Sequence, residues 1–136
     1  MKLGVCSAIL GSIILMTCLG CSEPGPTAVE VQGTVTLDGK PLGNSTVGFS
    51  AISEGLAAQH RYASAVTDSM GHFKIARVYP AEYLVTLNEA NPTVSPVQNA
   101  AFSGNPKLAK YSLNSPLRAK VSKESATFKF DVTSSR

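Results

Sequence analysis

From Val29 onward, apolar and polar residues alternate with a period of two. Val29, Val31, Gly33, Val35 and Leu37 fall on one side of the chain, and Glu30, Gln32, Thr34 and Thr36 on the other. Successive side chains of a strand point to opposite faces, so this run predicts a strand with one buried and one wet face. Asp38-Gly39 predicts a turn, because both residue types accept positive φ, and Pro41 fixes φ just beyond it. Val47, Phe49 and Ala51 repeat the pattern, and Tyr62, Ser64 and Val66 mark a third, less apolar strand. Asp68-Ser69-Met70-Gly71 reads as a tight hairpin loop with Gly71 in the left-handed position. Phe73 and Ile75 then face inward, and Tyr83, Val85 and Leu87 form the next strand. Leu117, Ala119 and Val121 alternate with Arg118, Lys120 and Ser122. After a turn at Lys123-Glu124-Ser125, Ala126, Phe128, Phe130 and Val132 close the set.

These are about seven short strands with turn signals between most of them, and no amphipathic helical period. The pattern predicts an all-β, antiparallel sandwich over residues 29–136 with one wet face per sheet. A one-residue slip of the last strand would bury Lys129 and Asp131, so its register is well specified. Residues 88–116 lie outside the pattern. They form a long loop with four prolines (Pro92, Pro96, Pro106, Pro116), and Lys107 to Tyr111 fits a turn of helix. Loops of this length are usually functional or mobile.

The first twenty residues differ from the rest. Lys2 is followed by an apolar run from Leu3 to Met16 and then by Leu19-Gly20-Cys21. This is the layout of a secretory signal with a small residue at the cleavage point. Its ending resembles a bacterial lipobox, after which a diacylglyceryl group is placed on the cysteine thiol and the preceding bond is cut. The reading makes residues 1–20 a cleaved lipoprotein signal peptide, Cys21 the acylated residue (thioether lipid plus palmitate-type acyl chains), and residues 21–28 a lipid-anchored tether. Cys18 stands where the lipobox prefers Leu and is itself a candidate anchor, although Gly20 suits the cut better than Thr17. A plain cleaved signal and a retained span are the alternatives; a span needs about 20 apolar residues, and Ser7, Gly11, Ser12 and Thr17 interrupt this run. The tether carries two prolines and a glycine and reaches at most roughly 25 Å, which keeps the domain close to its membrane. Ser22 rather than Asp follows the cysteine, which by analogy with lipoprotein sorting favours the outer membrane.

Composition narrows the function classes. The chain has 12 basic and 9 acidic residues, a net charge of +3. The charges are scattered, so no nucleic-acid footprint is present. All three cysteines (Cys6, Cys18, Cys21) precede the predicted sandwich. An exported domain without disulfides must stabilise itself by apolar burial.

Catalytic chemistry needs convergent polar groups. The two histidines, His60 and His72, fall at a loop and at a strand start, where they read as solvated residues. Zinc takes three or four ligands at readable spacing, and no such spacing occurs, so no metal or other cofactor is expected. No serine sits in a Gly-x-Ser-x-Gly elbow. A small hydrolase would require His60 and His72 to share one pocket. Saccharide binding would use exposed aromatic rings. Trp is absent, and Tyr62, Tyr79 and Tyr111 are the candidates; Tyr83 reads as core, packing is the alternative for Tyr62, and Tyr111 reads equally as a loop anchor or a contact residue.

Several segments carry a resemblance. Val31-Gln32-Gly33-Thr34-Val35-Thr36-Leu37-Asp38-Gly39-Lys40-Pro41-Leu42 resembles the opening strand and turn of carboxypeptidase-regulatory-like (transthyretin-like) domains. Val47 and Phe49, Thr67-Asp68 through Gly71 and Phe73, and Tyr83-Leu84-Val85 continue it. Ala109-Lys110-Tyr111, Ser115-Pro116-Leu117 and Phe128-Lys129-Phe130-Asp131-Val132 are similar to a subgroup of small bacterial lipoproteins built from this domain alone. The chain departs from the pattern at Ala81, where the family has Gly. It also ends Val132-Thr133-Ser134-Ser135-Arg136, without the Tyr-Arg-Gly-Ser tail of the transthyretin-fold hydroxyisourate hydrolases. The resemblance implies a seven-stranded prealbumin-like sandwich acting as a non-catalytic module. Lys40 and Lys110 are the charged residues best matched to the family.

The expectation is therefore a membrane-anchored extracytoplasmic lipoprotein of the cell envelope, facing the periplasm or exterior, that binds or builds rather than catalyses. Its expected partners are the membrane, through the lipid, and an envelope protein; a homodimer by edge-strand pairing also fits. A carbohydrate-binding module is the alternative. Candidate contact residues are Tyr111, Lys110, Tyr79 and Tyr62.

Overall fold

A computed structural model describes residues 25–90 and 105–134. Cys21, the segment 1–20, the start of the tether and the middle of the 88–116 loop lie outside the described residues.

The eight strands among the described residues are β1 (Val29–Leu37), β2 (Lys40–Pro41), β3 (Ser45–Ala51), β4 (Tyr62–Val66), β5 (His72–Val78), β6 (Ala81–Glu89), β7 (Arg118–Val121) and β8 (Thr127–Val132). One sheet centres on β1, with β5 and then β2 along one side and β8 along the other; the second runs β4-β3-β6-β7. The fold is an all-β sandwich, with eight strands rather than seven. The extra one is β2. Asp38 and Gly39 both take positive φ (51° and 79°), so the chain reverses at once and Leu37 meets Lys40.

Two connections differ from the expected hairpins. The Asp68–Gly71 turn forms, with Gly71 at φ 78° and Gly71 N–H donating to the Asp68 carbonyl at 3.0 Å, but it joins β4 of one sheet to β5 of the other. The turn after β7 likewise crosses between sheets, closed by Ser122 N–H on the Ser125 carbonyl. It delivers β8 alongside β1 in parallel, Gly33 opposite Phe128 and Leu37 opposite Val132. The sandwich is thus antiparallel apart from this pair, because a strand arriving from the opposite sheet runs in whichever direction its crossover leaves it.

The alternation holds across the core. Val31, Val35, Phe73, Ile75, Phe130 and Val132 from one sheet meet Val47, Phe49, Tyr83, Val85, Leu87, Ala119 and Val121 from the other. Gly33 sits inward on β1, paired with Phe73 of β5 on one side and Phe128 of β8 on the other. A Cβ there would lie 2.2 Å from the Phe128 carbonyl oxygen and 2.8 Å from the Phe73 ring, so this position excludes any side chain. In β4 the inward residues are Ala63 and Ala65, packed against the core, and Val66 is exposed. The sequence pattern weighted the opposite face, because Tyr62 and Val66 are larger than the alanines between them. Ala81 opens β6 opposite Val121 without positive φ, so no glycine is needed there.

The long loop contributes to the core at its far end. Pro106–Tyr111 forms a 3-10 helix whose Leu108 and Tyr111 are buried, as the Lys107–Tyr111 expectation required. Asn105 caps it, its side chain accepting from Lys107 N–H at 3.0 Å. One expectation fails on the outer face of the second sheet. Thr46 and Asn88 stand opposite each other and point away from the core, yet both are buried. Among the described residues neither Thr46 Oγ1 nor either Asn88 amide atom has a hydrogen-bond partner. That end of the sheet is not a wet face.

Candidate functional site

Two surface hollows stand out among the described residues. The smaller, about 290 Å³, is lined by Gln59, His60, Tyr62, Arg77 and Tyr79. It lies at the corner where the loop between β3 and β4 passes the end of β5. A short 3-10 turn, Ala58–His60, places Gln59 and His60. That loop is held to the second sheet by Ala51 N–H on the Arg61 carbonyl at 2.7 Å and by Arg61 Nη2 on the Ala51 carbonyl at 3.3 Å. Tyr62 opens β4 opposite Ser50, and its hydroxyl reaches within 3.1 Å of where a Gly48 Cβ would be, so the glycine makes room for the ring. Arg77 and Tyr79 are two residues apart at the end of β5 and therefore share a face. Pro80 disfavours a helical backbone at Tyr79, and Tyr83 Oη donates to the Tyr79 carbonyl at 2.7 Å.

The side chains interlock. The His60 and Tyr79 rings lie 4.1 Å apart at 38°, and Arg77 Nη2 donates to Tyr79 Oη at 3.3 Å. Burial, slightly offset by Ser64, pushes the Tyr62 phenol above its ordinary value, so it remains a neutral hydroxyl at physiological pH. Every lining residue is neutral or basic. The arrangement can hydrogen-bond an anionic or hydroxylated ligand while offering an aromatic wall.

The larger hollow, about 560 Å³, lies over the outer face of the first sheet and includes Gln32, Thr34, Asp68, His72, Lys74 and Thr127. Its one acid–histidine pair is a structural device. Asp68 Oδ1 accepts from Met70 N–H (2.8 Å) and His72 N–H (2.9 Å), and Oδ2 lies 3.6 Å from His72 Nδ1. These contacts, the His72 backbone first, hold the Asp68 carboxyl below its ordinary range.

The predicted residues separate accordingly. Tyr62 and Tyr79 meet in the smaller hollow, as half-buried walls of a pocket rather than an exposed flat platform. Tyr111 is a buried loop anchor: its Oη accepts from Thr133 N–H at 3.1 Å. Lys110 serves the same anchorage, its Nζ 3.2 Å from Thr133 Oγ1 and 4.9 Å from the Tyr111 ring centroid. Neither reaches the pocket. His60 is half-exposed and lies against the Tyr79 ring, and His72 sits in the other hollow. With about 3.3 Å per residue, the seven residues from His72 to Tyr79 put the histidines about 20 Å apart, so the shared histidine pocket of a small hydrolase is not formed. Among the described residues no group of three His, Cys, Asp or Glu could hold a metal ion, and no helix is long and apolar enough to cross a membrane. Sequence reasoning missed Arg77 and Gln59. The signal for Arg77 was present in Arg77-Val78-Tyr79, a same-face pair at a strand end.

No family model matches the chain, and neither does any curated sequence. Among solved structures, similarity extends to the major pilin subunit of Bacillus cereus, with a TM-score of 0.49 and 16% identity over 82% of this chain and 31% of that one. It extends also to a mercury-inhibited catechol 1,2-dioxygenase from an Acinetobacter species, with a TM-score of 0.37 and 17% identity over 85% and 55%. The chain spans about a third of the first and about half of the second.

Proposed function

We propose that this protein is a lipid-anchored, extracytoplasmic lipoprotein of the cell envelope whose sandwich works by binding rather than catalysis. The observation that carries the reading is the order of features: an apolar leader, Leu19-Gly20-Cys21, a seven-residue tether (22–28), and then β1, the strand hydrogen-bonded on both sides in its sheet. Such an order supports a folded module held within reach of a membrane. The carboxypeptidase-regulatory-like assignment belongs to the same proposal, and two of its features favour it. Asp38-Gly39 makes the turn after the opening strand, and Thr67 through Phe73 links two strands through Gly71. The separated histidines and the loop-closing role of Asp68 favour binding over hydrolysis.

A second reading is favoured by the Tyr62–Tyr79 pocket, namely that the ligand is a saccharide. The partner reading and the saccharide reading share the same anchor.

The test of the anchor is metabolic labelling of cells with an alkynyl fatty acid, followed by fractionation. The wild-type and Cys18→Ala chains should carry label and run as the cut form in the membrane fraction, and Cys21→Ala should carry no label and keep its leader. Label that survives Cys21→Ala, or that disappears with Cys18→Ala alone, overturns the assignment. In-cell crosslinking of the anchored protein then decides between a protein partner and self-contacts.

A further inference from the structure

The corner pocket has a more specific chemistry than its two tyrosines indicate. Its volume, about 290 Å³, is at the lower edge of the range for small-molecule sites, about 300–1,000 Å³, and suits a single substituted ring. The His60 and Tyr79 rings, tilted at 38° to each other, supply aromatic surface that can pack against the C–H groups of a sugar. Arg77 is the one fixed charge in the lining. Its bond to Tyr79 Oη engages one of the five N–H donors that a guanidinium carries in a planar fork, and that fork matches a carboxylate in two-point contact. Gln59 and the neutral Tyr62 hydroxyl add donors and acceptors suited to ring hydroxyls. A neutral sugar would leave the guanidinium without a counter-charge, and a bare anion would leave the aromatic wall unused. A ring bearing a carboxylate satisfies both.

We propose that this pocket binds a uronate residue of an acidic polysaccharide, with Arg77 on the carboxylate, His60 and Tyr79 as the aromatic lining, and Gln59 and Tyr62 on the hydroxyls. The inference rests on the saccharide reading of the pocket and names its ligand class.

The test uses the full-length lipoprotein in detergent micelles, titrated with tetragalacturonate and with neutral cellotetraose at physiological salt. Tetragalacturonate should bind and cellotetraose should bind at least tenfold more weakly. Arg77→Gln should weaken tetragalacturonate binding by about tenfold to a hundredfold, the range for a charge-assisted hydrogen bond. Arg77 is exposed, so its variant should keep the wild-type melting temperature, and a loss of affinity then reads binding rather than folding. Equal binding of the two tetrasaccharides, or an unchanged affinity in Arg77→Gln, overturns the uronate proposal and leaves the saccharide reading standing. Binding of neither overturns both, and leaves the lipid-anchored module with a protein partner.

Discussion

Phe49 is the position whose removal tests the core most directly. It is fully buried, and its ring faces Tyr83 at 5.7 Å, Phe73 and Phe128 at 6.1 Å each, and Phe130 at 6.4 Å. It is the point where both sheets meet through aromatic rings. Truncating a buried Phe to Ala costs about 3–5 kcal/mol through lost burial and the cavity left behind. Each aromatic pair adds about 0.5–1.5 kcal/mol beyond burial, and four pairs around one ring place Phe49→Ala at the upper end, about 5 kcal/mol. Phe49→Leu keeps most of the volume and loses mainly the ring geometry, so about 2 kcal/mol is expected. Domains of this size are stable by about 5–15 kcal/mol, so the alanine variant should lose between about a third and all of the stability, while the leucine variant remains folded. Urea titration followed by circular dichroism measures both, provided the slope with urea stays at its wild-type value. A cost below about 2 kcal/mol for Phe49→Ala at unchanged slope would refute the central placement of this ring.

Two further outcomes follow from the same structure. Gly33→Ala should be as damaging as a core truncation although it adds only a methyl group, because that methyl would meet the Phe128 carbonyl between two hydrogen-bonded strands; a thermal midpoint within a few degrees of wild type would show that β1 and β8 can separate locally. Asp38, Asp68 and Asp131 all have carboxyls held below their ordinary range, chiefly by the Ser134 backbone, the His72 backbone and the Thr36 hydroxyl respectively. A depressed folded-state pKa gives stability that is present above the unfolded value, near 4, and lost as pH falls through the folded value. The melting temperature should therefore drop on acidification below about pH 4, and Asp68→Asn should make that drop shallower; parallel acid profiles for the two proteins would exclude Asp68 as a contributor.

What the sequence made legible was whatever depends on neighbours two residues apart. The period-two alternation placed Val31, Val35, Phe49, Tyr83, Val85, Phe130 and Val132 in the core, and all are buried. Turn chemistry placed Asp38-Gly39 and Gly71, whose φ values are positive. What was not legible depends on residues far apart in the chain. The parallel pairing of β8 with β1 joins positions separated by 95 residues, such as Gly33 and Phe128, and alternation alone carries no sign of strand direction. In β4 the alternation was misleading, because small inward alanines fit against a crowded core while Tyr62 and Val66 face out.

The pocket illustrates the same limit in functional terms. Its residues come from three places, the 3-10 turn at Ala58–His60, the start of β4 and the end of β5. Only the Arg77–Tyr79 pair is local enough to be read by spacing. Lys110 is a candidate through its match to the family pattern, and Tyr111 reads equally as a loop anchor or as a contact residue, because a loop of this kind can expose its side chains or bury them. Their actual work is to tie the Pro106–Tyr111 helix to the strand end at Thr133, which closes the core beside β6. The loop that buries Tyr111 supports the sandwich, whereas the corner gathers a guanidinium, an imidazole and two phenols from segments that only the fold brings together.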